Sequence, residues 1–169
     1  VFDDVVLFWK PPSCFSNGTP SSFTVLGVLY TCGEQYMMSE NARLSNDSSI
    51  CSQTMATSRP QDHQALGRRD RNFDHAEWER LREDFVLTGT YAKFAQSSLL
   101  RQHLSSTGDR TLVEASPIAH LWGIGLAACH PDAAFPACWT GRNLLGKAVI
   151  EDRRLLRDAP LEIAAQALP

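Results

Sequence analysis

Leu112-Val113-Glu114-Ala115-Ser116-Pro117-Ile118-Ala119-His120-Leu121-Trp122-Gly123-Ile124-Gly125 is the stretch around which the rest of the chain is organised. It begins as a short apolar strand, carries one acid into a turn, and ends on Trp-Gly-Ile-Gly. Pro117 fixes φ and has no N–H to give a ladder, so the strand is predicted to stop there. Gly123 and Gly125 permit positive φ and let the backbone come close to another group. An acid, a hydroxyl, a tryptophan and two glycines on one loop suit a ligand, since functional residues gather on loops held by a scaffold. The same letters also fit plain packing, with Trp122 in the core and the glycines as turns.

Beyond this stretch lies a loop rich in Ala and Pro, from Ala127 to Ala137, then Trp139-Thr140-Gly141-Arg142-Asn143-Leu144-Leu145-Gly146. Asn143 is placed to cap a last helix that turns Leu144, Leu145, Ala148 and Val149 inward. Before the stretch, the spacing of Trp78, Leu81, Phe85 and Val86 predicts an amphipathic helix behind an Asp74-x-x-Glu77 capping box, broken at Gly89. A further helix is predicted from Tyr91 and Phe94 to Gly108. Asp47 is read as the cap of a helix through Met55, and Arg59-Pro60 as the start of one that Gly67 ends. Between Glu34 and Leu44 there is neither Pro nor Gly, which predicts a helix with Glu34, Met38 and Asn41 on one face. That face is either a site, or an edge where Met37 and Met38 fill core and the polar residues meet solvent.

The first thirty residues read as a small sheet. Val5-Val6-Leu7-Phe8-Trp9 is a strand stopped by Pro11-Pro12, and Phe23 to Tyr30 is a hairpin closed near Gly27. With no repeat or low-complexity tract, the 169 residues read as one α+β domain, mostly helical with a small sheet.

Composition excludes several classes. At 43% hydrophobic and 21% charged residues the chain is globular, and no apolar run approaches the ~20 residues that span a bilayer, so no membrane partner is expected. A formal charge of −3 argues against a broad electrostatic grip on nucleic acid. The run Gly67-Arg68-Arg69-Asp70-Arg71 is a solvated loop or a local phosphate contact. Five widely spaced cysteines, with no Cys-x-x-Cys pair, read as free thiols of an intracellular protein in cytoplasm or nucleus. Cys129-His130 and Cys138 lack a convincing fourth ligand, so no metal site and no cofactor are expected. Val1-Phe2-Asp3-Asp4 has no initiator Met and no signal-peptide pattern; it reads as the start of a fragment. There is no Gly-x-Ser-x-Gly elbow and no Walker motif, and Gly123-x-Gly125 lacks the third glycine of a dinucleotide site.

Taken in order, Phe15-Ser16-Asn17, Glu34-Gln35-Tyr36-Met37-Met38, Leu66-Gly67-Arg68, Trp78, Lys93-Phe94, Glu114-Ala115-Ser116-Pro117, Trp122-Gly123-Ile124-Gly125 and Trp139-x-Gly141-x-Asn143-x-Leu145-Gly146 resemble the NADAR family of YbiA-like N-glycosidases. The match runs from Phe8 to Arg153. The resemblance implies a compact, largely helical fold that cleaves the bond between ribose C1″ and a nitrogen. Two substrate classes go with the family: ADP-ribose on the amino group of guanine in DNA or RNA, and reactive ribosylated pyrimidine intermediates of riboflavin synthesis.

Loss of nitrogen from C1″ builds oxocarbenium character, which a nearby carboxylate stabilises or relieves by activating a nucleophile. By resemblance Glu34 and Glu114 are those acids. Trp122 and Trp139 suit a planar base by stacking, and Arg68 suits a diphosphate. The family motifs also put Phe15, Ser16, Asn17, Tyr36, Met38, Ser116, Gly123, Ile124, Gly125 and Asn143 against substrate. Two positions depart from the pattern. Where the family usually has Lys this chain has Asn41, and where it usually has Asp this chain has Ala119. Asn41 has no amine to attack an opened ribose, and Ala119 cannot move a proton, a loss that typically costs ~10²–10⁴-fold in rate. Two readings follow: an N-glycosidase impaired at two positions, or a non-catalytic module that binds ADP-ribose.

Overall fold

Leu112 and Val113 set the frame. Both are wholly buried, and because successive strand side chains point to opposite faces they enter two different apolar clusters. The computed structural model describes residues 4–69 and 73–159. Asp70 and Arg71 of the basic run, and Val1-Phe2-Asp3 at the start, lie outside the described residues. The elements in order are β1 (Val5–Phe8), β2 (Phe23–Val25), β3 (Val28–Tyr30), α1 (Gly33–Leu44), α2 (Ser48–Ala56), α3 (Pro60–Gly67), α4 (His75–Ala95), α5 (Ser98–Ser106), β4 (Thr111–Glu114) and α6 (Leu144–Asp158). The architecture is α+β and mostly helical, and no described helix is long and apolar enough to cross a membrane.

The expected single N-terminal sheet is two separate pairs. β1 does not join the hairpin; it runs parallel to β4, with Val5 opposite Thr111 and Phe8 opposite Glu114. A parallel pair needs a long crossover, here α1 to α5, and a local reading of thirty residues cannot see a partner a hundred positions away. The β2–β3 hairpin forms as predicted, with Leu26 (φ 49°) and Gly27 (φ 79°) in left-handed conformations that match the strand twist. The Gln96 amide closes the open side of β2, accepting from the Thr24 N–H at 2.8 Å and donating to the Thr24 carbonyl at 2.7 Å.

The expected break at Gly89 is absent: α4 runs through it for 21 residues. Gly89 serves packing instead. A Cβ there would collide with the Tyr36 ring, which lies edge-on to Tyr30 and Phe23 and fills the space against α4. The real boundary falls at Gln96–Ser97, where the Ser97 hydroxyl caps α5 through the Leu100 N–H. Asp74 caps α4 through Ala76 and Glu77, but the Glu77 carboxylate pairs with Arg80, so the capping box is only half made. Asp47 caps α2 and Pro60 opens α3, as predicted. Leu144, Leu145, Ala148 and Val149 all face inward. α6 thereby packs on both α4 and β4.

Candidate functional site

Two acids stand at the start of α1 and the end of β4, near enough for the charge of Glu34 to act on Glu114. Glu34 stands in the first turn of α1, whose N-terminus is held by the Asn17 carbonyl accepting the Glu34 N–H at 2.9 Å. Burial pushes the Glu34 carboxyl up to about 7, against the opposing pull of a hydrogen bond from Gln64 and the Arg68 guanidinium. Burial likewise pushes Glu114 up to about 7, and the negative charge of Glu34 adds to it. The charge of Glu34 thus reaches Glu114, and each carboxyl changes charge near neutrality.

Backbone bonds fix the Glu114 wall. The Glu114 N–H donates to Asn143 Oδ1 at 2.9 Å, and its carbonyl accepts from Ser116 and Ile124. Gly123 is required by close approach: a Cβ there would lie 2.7 Å from the Glu114 carbonyl oxygen and 3.0 Å from that of Ala119. Gly125 is required by conformation, with φ +73°. The carbonyls of residues 120 to 124 then accept from the N–H groups of residues 140 to 145, lacing the loop to the start of α6. Ser116 is buried, and Ala119 and Trp122 are half-buried on this laced loop, with Trp122 also touching the main core.

The α1 wall is made of side chains. Glu34, Met38 and Asn41 share a face, as their spacing predicts, and the end of α3 covers it. Gly67 allows this, since any Cβ would collide with the Met38 sulfur. Asn41 is 6% exposed and its Oδ1 has no hydrogen-bond partner; Asn17 Oδ1 and Glu114 Oε2 are also buried without partners. Arg68, exposed at the end of α3, is close enough to act on Glu34.

Other sequence-selected residues are placed elsewhere. Tyr36 is on the opposite side of α1, in the core. Phe15 is buried between Phe8 and Phe94. Trp139 packs on the second cluster and donates its indole N–H to the Ala133 carbonyl at 2.9 Å. Ile124 is wholly buried in that cluster. Asn143 does not cap α6 with its side chain; in a left-handed conformation (φ 53°) it turns back, donating to the Leu112 carbonyl at 2.9 Å. Sequence reasoning missed Gln64 and a buried pair, Cys32 Sγ 3.8 Å from His63 Nδ1, that ties α3 to the start of α1. Lys93, 1% exposed, received no role. Its signal was present: Val86, Thr90 and Lys93 follow i, i+4, i+7 spacing, a lysine on the apolar face.

Among the described residues no three His, Cys, Asp or Glu side chains group as a metal site requires. The arrangement is suited to proton transfer and to stabilising positive charge, with buried acceptors left unpartnered on Asn17, Asn41 and Glu114.

Residues 7–157 match the NADAR domain. This chain belongs to the NADAR family. Its NADAR relatives include N-glycosidase R617 of Acanthamoeba polyphaga mimivirus, 40% identical over 124 residues, or 73% of each chain. N-glycosidase Npun_R5314 of Nostoc punctiforme is 28% identical over 150 residues, 89% of each chain. The solved structure of the Escherichia coli protein YbiA superposes with a TM-score of 0.75 at 24% identity, covering 92% of this chain and 86% of that one. The YbiA likeness shows that the NADAR fold is shared.

Proposed function

We propose that this chain is an N-glycosidase of the ribose C1″–N bond, and that its substrate is ADP-ribose carried on the amino group of guanine in DNA or RNA. The observation that carries the reading is that Glu34 lies within electrostatic reach of Glu114, and that burial raises both partly buried carboxyls to about 7. One can hold a proton for the departing nitrogen while the other, ionised, steadies the oxocarbenium carbon or draws a proton from water. Kinship with two proteins named N-glycosidases supports the same bond class. Three buried acceptors without partners, on Asn17, Asn41 and Glu114, favour a ligand rich in donors, such as ribose hydroxyls and an amino-bearing base, over a bare phosphate. Arg68 supplies the cation for the diphosphate.

Asn41 and Ala119 set the rate. Neither can supply an amine or a proton-transfer group, so the chain as it stands is a slow hydrolase or, in the limit, an ADP-ribose-binding module. The test is to make Asn41→Lys and Ala119→Asp, singly and together, and to incubate each with an ADP-ribosylated guanine oligonucleotide. The double variant is expected to release ADP-ribose ~10²–10⁴-fold faster than the parent. Binding of ADP-ribose with no release by any form overturns the hydrolase reading and leaves the module. Cleavage confined to ribosylated pyrimidine intermediates of riboflavin synthesis, run in parallel, overturns the guanine assignment.

A further inference from the structure

Lys93 sits on the buried face of α4, where an ammonium is costly unless something holds it. A methionine would fill similar volume without that cost. What lysine adds is a charge-assisted donor, and it is used at long range: Nζ donates to the Ser16 carbonyl, 77 positions away, at 2.9 Å. Burial pulls the ammonium down to about 8, and the thiols of Cys14 and Cys32 and the Asp152 carboxyl of α6 are near enough to oppose that fall. Ser16 is itself buried, and its carbonyl also accepts from the Thr19 N–H at 3.3 Å. The next carbonyl, that of Asn17, accepts the Glu34 N–H. Two hydrogen bonds and one peptide unit therefore connect Lys93 to the first turn of α1.

We propose that Lys93 is a positioning residue for Glu34: it clamps the Ser16–Asn17 peptide, and through it fixes where the first turn of α1 presents that carboxyl. The role assigned to Glu34 rests on the N-glycosidase reading, but the clamp is testable without turnover.

Lys93→Met removes the ammonium. Gly33→Ala attacks the same path from its other end, because the new Cβ would lie 2.5 Å from Asn17 Oδ1 and 2.8 Å from its Cγ. Amide hydrogen exchange and the ¹³C titration of the Glu34 carboxyl are followed by NMR. Each substitution is expected to speed exchange at the Glu34 amide at least ~10-fold relative to Val149 in α6, and the double variant to be no faster than the faster single one. The Glu34 titration is expected to fall from about 7 towards the ordinary carboxylate range as water reaches the loosened turn. Glu34 exchange within twofold of the parent, exchange that rises equally at Val149, or effects that multiply in the double variant overturn the proposal. Lys93→Gln, which keeps a shorter N–H donor, is measured alongside; if the Met variant does not fold, the same criteria apply to it. A parent chain that neither binds nor cleaves ADP-ribosylated guanine defeats the functional reading while leaving the exchange result to decide the clamp.

Discussion

Two buried asparagines flank the site, and the fold treats them in opposite ways. Asn143, 1% exposed, has both ends of its amide engaged: Oδ1 accepts from Glu114 and Nδ2 donates to Leu112, so it splices the start of α6 onto β4. Asn41, 6% exposed, leaves Oδ1 without a partner on the face it shares with Glu34. A satisfied buried amide stabilises and rigidifies, whereas an unsatisfied one costs roughly 1–3 kcal/mol that a ligand can recover. One wall of the site is therefore scaffold, built to hold still. The other leaves an acceptor open at a small cost in stability, and in the function proposed above it is the recognition wall.

The contrast can be broken most directly at Asn143. Asn143→Ala strands a buried N–H and a buried carbonyl and puts a Cβ residue without a side-chain amide in a left-handed conformation. It is expected to cost about 3 kcal/mol, read as a lower urea midpoint. A loss below about 1 kcal/mol means the splice is not structural.

The acids come next. Glu34 and Glu114 are raised from the ordinary 4.5 to about 7, so between those values the folded state binds more protons than the unfolded one. Stability therefore falls as pH rises from about 4.5 to about 7 and levels off above it. Glu114→Gln removes its share of that decline. The variant is expected to gain on the order of 2 kcal/mol at pH 8 and nothing at pH 4. An equal gain at both pH values excludes a titrating cause.

The smallest effect is the most diagnostic. Asn41→Leu removes an unsatisfied acceptor, so its unfolding free energy is expected to move by less than about 1 kcal/mol, while ADP-ribose affinity falls ~10-fold by calorimetry. If Asn41→Leu instead destabilises as Asn143→Ala does, the two asparagines are the same kind of residue and the contrast is gone.

The recognition wall was legible in the sequence because helical spacing is local: Glu34, Met38 and Asn41 share a face whatever surrounds them. The scaffold wall was not. Asn143 reads as a cap from its neighbours, and only the return of β4 beside α6 gives its amide better partners than the helix it precedes. Gly89 reads as a breaker because propensity knows nothing of the Tyr36 ring that needs the missing Cβ. The pairing of β1 with β4 and the grip of Lys93 on Ser16 depend on long-range closure, to which no window of ten residues has access. Composition and the order of family motifs carried the α+β class across those gaps.

The parallel β1–β4 pair also bears on the order of assembly. The Phe8 carbonyl accepts the Ala115 N–H at 2.8 Å, so the strand that carries Glu114 is seated only when the seventh decile of the folding chain's span has come back to its first. Local helices can be in place well before, but long loop closure comes late and slowly. A chain stalled at that point owns both acids and has no reaction centre. Glu114 takes its place with the last strand, and Asn143 at the start of the last helix holds it there.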